Sequence, residues 1–173
     1  YAITCEDNNV MSEVYWTPQP DGTVQDYCLI GTQSDKGLHL IKGTAAGPGA
    51  GGLHKSYPEL ACTFGWNFFE HNGNKFMAFV SVYDKLRPCV QVIKGDYTTF
   101  EGLEAALDAY SEETVIFSAP LQNELDATIS GYESGMTLGD CCVRKIGDDI
   151  YMLAGGHSVG LSLFKLDRNF IVK

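Results

Sequence analysis

Apolar and polar residues alternate with a period of two in short runs along most of the chain, and only two stretches carry the spacing of a helix. Ser12 to Trp16 and Val24 to Ile30 predict strands on either side of Pro18-Gln19-Pro20-Asp21-Gly22, whose prolines and Asp-Gly pair mark a turn. Gly37 to Lys42 predicts a third strand, with Leu38 and Leu40 on one face and His39 and Ile41 on the other. The strongest β signal is the pair of aromatic-rich runs Leu60 to Phe69 and Lys75 to Tyr83 around His71-Asn72-Gly73-Asn74. Asn-Gly supplies the two positive φ angles that a tight hairpin requires. Cys89 to Lys94 predicts a further strand that stops at Gly95-Asp96.

The period then changes. Thr98 with Glu101 three residues later forms the pattern of a capping box, and Phe100, Leu103, Leu107 and Tyr110, supported by Ala106, make an apolar stripe at helical spacing. After a short strand at Thr114 to Phe117, Ser118-Ala119-Pro120 reads as the cap and first turn of a second helix. Leu121, Leu125, Thr128 and Ile129 form its inner side, and Gly131 stops it. Strands return at Cys141 to Lys145, Ile150 to Ala154 and Val159 to Leu166, the first two joined at Gly147-Asp148-Asp149. Consecutive strands are linked by turns rather than helical crossovers, and neither a linker nor a repeat interrupts them. The expectation is an α+β fold, one domain over residues 1–173, with a mainly antiparallel sheet and about two helices packed on it.

Composition narrows the function classes. The chain has 173 residues, 45% apolar and 20% charged, which suits a globular domain large enough to bury a core. Its formal charge of -10 opposes a phosphate backbone or an anionic bilayer, and no apolar run is long enough to cross a membrane as a helix. The expected partner is a protein, a neutral small molecule or a glycan, with self-association as a further route. The start at Tyr1, with no methionine or leader, reads as a processed or trimmed end.

Six cysteines, Cys5, Cys28, Cys62, Cys89, Cys141 and Cys142, form an even set spread over the chain, mostly more than twenty residues apart. That spacing argues against zinc or iron-sulfur sites, and no metal or cofactor is expected. It favours a disulfide framework in a secreted protein, with buried thiols in a cytoplasmic one as the alternative. Cys141 and Cys142 are expected to face opposite sides of one strand and not to pair with each other.

Few motifs carry chemistry. Gly156-His157-Ser158-Val159-Gly160 matches a nucleophile elbow, but only thirteen residues follow Gly160, none of them histidine, and they alternate as a strand. The segment therefore reads as a hairpin connection, with Ser158 not a nucleophile. HSVGLSL resembles, over these few residues, the histidine-bearing strand of bacterial cell-wall cysteine peptidases, although Cys62 lacks that family's Asp-Cys-Ser start. The alternative function is therefore a small cysteine-dependent hydrolase using Cys62 and His157.

Gly43 to Gly52, with five glycines and one proline, forms neither helix nor central strand, and Gly47, Gly49 and Gly51 are candidate contact residues. His54 and His157, each after a glycine-rich stretch, are candidates for a polar site. Trp16 and Trp66, with Tyr15, Tyr57 and Phe69, could form an aromatic platform. Glu101, Glu104, Asp108, Glu112 and Glu113 read as the wet face of the helix, and Glu6-Asp7 and Asp148-Asp149 as solvated turns. The leading expectation is a non-catalytic extracellular binding or assembly protein that acts through sheet-face aromatics and the glycine loop.

Overall fold

The computed structural model describes residues 9–18, 24–32, 37–42, 53–60, 63–81, 89–121, 139–156 and 160–173. Among them the chain is α+β, with three antiparallel sheets, one helix and a short 3-10 turn. The first sheet runs in chain order through β1 (Asn9–Pro18), β2 (Val24–Thr32), β3 (Leu38–Lys42) and β4 (Leu53–Tyr57). The 3-10 turn Pro58–Leu60 leads to the second sheet: β5 (Thr63–His71), β6 (Asn74–Ser81), β7 (Cys89–Lys94) and β8 (Val115–Pro120). Helix α1 (Phe100–Asp108) lies between β7 and β8 in the chain. The third sheet has β10 (Asp149–Gly156) between β9 (Gly139–Ile146) and β11 (Gly160–Leu166).

The second sheet is the middle layer, and its sequence shows why. Along β6, Phe76, Ala78 and Val80 face one core and Met77 and Phe79 the other, so the run is apolar in both phases. One face packs against the third sheet through Val143, Ile150, Met152, Ala154 and Leu166. The other packs against Leu29, Leu38 and Leu40 of the first sheet and Phe100, Leu103 and Leu107 of α1. The helical stripe thus lies on the sheet as its spacing predicts.

The Asn72-Gly73 turn has φ values of 50° and 71°, the two positive angles expected, and closes β5 onto β6 with His71 opposite Asn74. Further up β5 the register slips between Phe64 and Asn67. Gly65 sits there with φ of 64°, in a bulge pressed against β9. A Cβ on Gly65 would lie 2.4 Å from Asp140 Cα. Side chains rather than a ladder join the two sheets at this crossing: Val143 N–H donates to Asn67 Oδ1 at 3.2 Å, and the Cys141 thiol donates to the Gly65 carbonyl at 2.9 Å.

Three expectations are corrected. The helix begins one residue later than the capping box implied. Thr99, extended at φ -126° and ψ 149°, is the N-cap, and its Oγ1 accepts from Gly102 N–H at 3.1 Å. Thr98 is engaged elsewhere, since the Asp96 carboxylate accepts both its N–H and its hydroxyl. Ser118 to Pro120, read as a helix start, end strand β8, where Cys89 faces Pro120 across the ladder. Leu121 follows the strand as a fully buried core residue, and the expected second helix from residue 122 on lies outside the described residues. Finally, no sulfur–sulfur pair lies at bonding distance among the described residues, so the disulfide framework is withdrawn. Buried Cys89 donates instead to the Ser81 carbonyl at 3.7 Å, and Cys141 is buried on the inner side of β9. These behave as small core residues with a weak S–H donor. Cys5, Cys62 and the side chain of Cys28 lie outside what is described.

Candidate functional site

Helix α1 meets the first sheet through a row of charges. Glu101, Glu104 and Asp108, spaced three and four residues apart, share one helix face. Opposite them, Lys42 stands 3.9 Å from Glu101, His54 Nε2 is 2.7 Å from Glu104, and Lys55 donates to Asp108 at 2.5 Å. Strand β4 places its two members by a bulge: Lys55 pairs with Leu40 and Leu53 with Ile41, so His54 is the extra residue and both side chains reach the helix.

The His54 ring also stands edge-on to Phe100 at 4.9 Å, and the Lys42 ammonium lies 4.3 Å from the same ring. The Lys55 ammonium hydrogen-bonded to Asp108 holds that carboxyl below the usual aspartate range. Burial first, and then the facing Asp108 carboxylate, pushes the Tyr57 phenol well above its ordinary value; the phenol makes no hydrogen bond of good geometry. Three of the five carboxylates read as a wet face, Glu101, Glu104 and Asp108, therefore fasten helix to sheet. Each pair is partly exposed, so it contributes little on its own.

The remaining site residues separate. Trp66 is 6% exposed, its ring tilted against Phe79 with centroids 4.5 Å apart and its indole N–H buried without a partner, so it is a core residue. Trp16 lies in β1 opposite Asp26. Gly47, Gly49, Gly51, Cys62, His157 and Ser158 lie outside the described residues, as does the side chain of Trp16. Gly156 and Gly160 pair across β10 and β11, so GHSVG does join a hairpin.

The surface aromatics form two half-buried clusters. Phe68 and Tyr97 have ring centroids 4.8 Å apart. Phe69, buried Phe76 and Phe170 gather beside the buried ring of His71. Among the described residues no group of three or more His, Cys, Asp or Glu is arranged to hold a metal, and no helix is long and apolar enough to cross a membrane.

The third sheet carries what the sequence reading missed. Its inner residues, Cys141, Val143, Ile150, Met152, Ala154 and Leu166, fill the core. Its outer face is read across β9, β10 and β11 in three rows. Arg144, Tyr151 and Lys165 form the first, Cys142, Leu153 and Leu163 the second, and Asp140, Gly155 and Leu161 the third. Leu153 is 42% exposed, Leu163 67% and Leu161 77%. Isolated exposed leucines are ordinary, but here Leu153 and Leu163 stand opposite each other across the ladder and Leu161 follows two residues along on the same face of β11, which gathers three of them on one face.

A signal for this face was present in the sequence. In LSLFKL, as in IYML, both phases of the alternation carry large apolar residues, and an outer sheet can bury only one phase.

Comparison of the chain with family models, with characterised proteins and with solved structures gave no match.

Proposed function

We propose that this β-rich domain is a non-catalytic binding or assembly module whose contact surface is the outer face of the third sheet. The observation that carries this reading is the exposed, cross-strand alignment of Leu153 and Leu163, with Leu161 beside them. An apolar face of this kind, bordered by Arg144 and Lys165 at one end and Asp140 at the other, suits a protein surface better than a small polar ligand. The aromatic clusters add apolar surface elsewhere, but their rings pack mainly on one another.

The test is a double substitution, Leu161→Ser with Leu163→Ser, followed by thermal unfolding and by fluorescence of 1-anilinonaphthalene-8-sulfonate. The expected result is a melting temperature within a few degrees of wild type and a clear loss of native-state dye fluorescence. A large fall in melting temperature would place both leucines in the fold's own packing and refute the contact surface.

A further inference from the structure

Strand β11 ends the order of the third sheet, with β10 on one side. On its other side, among the described residues, only the tail Val172 and Lys173 pairs with it. That tail is built rather than draped. The Asp167 carboxylate accepts N–H groups from Asn169 and Ile171, and Asp167 N–H donates to the Ile171 carbonyl at 2.8 Å. Phe170 packs on Phe69 and Phe76, and the Arg168 carbonyl lies 3.0 Å from His71 Nε2, which donates to it. The turn sets Val172 antiparallel to Leu166, and Lys173 N–H donates to the Lys165 carbonyl at 2.9 Å.

This last bond fixes which backbone groups face outward. In an antiparallel sheet a residue presents its N–H and C=O to the same side, and the next residue presents them to the other. Lys165 faces away from β10, so Leu163 and Leu161 face away as well, while Ser162 and Phe164 bond to β10 opposite Ala154 and Met152. The open groups therefore belong to the two residues with the most exposed leucine side chains.

We propose that this edge is a strand acceptor: an extended segment of a protein partner, apolar at alternate positions, pairs antiparallel with Gly160 to Phe164 and continues the strand that Val172 and Lys173 begin. The proposal rests on the outer face of the third sheet being the contact surface. Main-chain bonds to Leu161 and Leu163 hold the segment, and its apolar side chains lie beside those of the two leucines. A second copy of β11 is a poorer occupant. Two chains of charge -10 repel.

The probe is a fluorescein-labelled synthetic peptide of alternating valine and threonine with terminal lysines, followed by fluorescence anisotropy. Wild type is expected to bind it saturably. Leu163→Pro, which removes an N–H that the β10 ladder does not use, is expected to weaken binding at least tenfold with the melting temperature nearly unchanged. Leu163→Ala keeps that N–H and is expected to weaken it much less. A peptide N-methylated at alternate residues is expected to lose binding to wild type, which tests the mode without any protein variant.

Absence of saturable binding, full binding of the N-methylated peptide, or a self-associated form that Leu163→Pro dissolves without peptide uptake would overturn strand addition. Equal weakening by the proline and alanine variants, together with weakening by Leu153→Ser, would overturn strand addition yet leave the contact face standing. Binding unaffected by all three variants would overturn both.

Discussion

Gly65 shows how one residue fixes the relation of two sheets. It has a positive φ, no room for a Cβ against Asp140 Cα, and a carbonyl that accepts the Cys141 thiol. Gly65→Ala is expected to lower stability by about 2–4 kcal/mol, read from denaturant unfolding, because backbone strain and a backbone clash act together. A loss under about 1 kcal/mol would mean that the crossing relaxes at little cost.

The ionisable residues act more weakly. Lys75, with help from Thr98, holds the Asp96 carboxyl below its usual range, while Lys173 and Lys165 do the same for Asp149. A carboxyl depressed in the folded state contributes its stability fully above the unfolded value near about 3.9, and loses it as pH falls through the lower folded value. Lys75→Met is therefore expected to raise the Asp96 midpoint in a carbon-detected NMR titration and leave Asp149 depressed. Asp96 is exposed and Asp149 half-buried at the surface, both beside flexible lysines, so the gain in acid resistance is small.

At the level of elements, the sequence was legible where local chemistry is decisive. Asn72-Gly73 admits few backbones other than a tight hairpin, and Phe100, Leu103 and Leu107 leave one face for the helix to bury. It was less legible where a side chain has two possible uses. Thr98 and Thr99 both suit an N-cap, and the choice depends on Asp96 and Lys75, the latter over twenty residues away in sequence. Thr99→Ala is expected to cost about 1 kcal/mol of stability. Glu101→Ala, at the position a capping box would have used, is expected to cost less than about 0.5 kcal/mol, since among the described residues Glu101 meets Lys42 alone, at 3.9 Å. The reverse order in thermal unfolding would restore the capping box. Strand β4 escaped notice because LHKSY has no clean alternation, and its bulge sends two adjacent polar side chains to the same helix.

Among the described residues, the middle sheet is covered on both faces and the third sheet on one. Phe79 is fully buried between the middle sheet and the helix side, and Phe79→Ala is expected to cost about 3–5 kcal/mol in denaturant unfolding. The same apolar-in-both-phases pattern has opposite meanings in the two sheets. In β6 it marks double burial, whereas in β10 and β11 it leaves Leu153, Leu161 and Leu163 in solvent. Sequence alone does not separate these cases, because which sheet is central depends on strand order and not on the strand's own residues.

An open edge is expected beside that exposed face, and amide hydrogen exchange of the uncomplexed protein reads it directly. Leu161 and Leu163 N–H groups are expected to exchange quickly while those of Ser162 and Phe164, bonded to β10, are slowed by orders of magnitude. Equal protection of all four would show the edge already filled by the chain itself and would contradict the binding surface proposed for it.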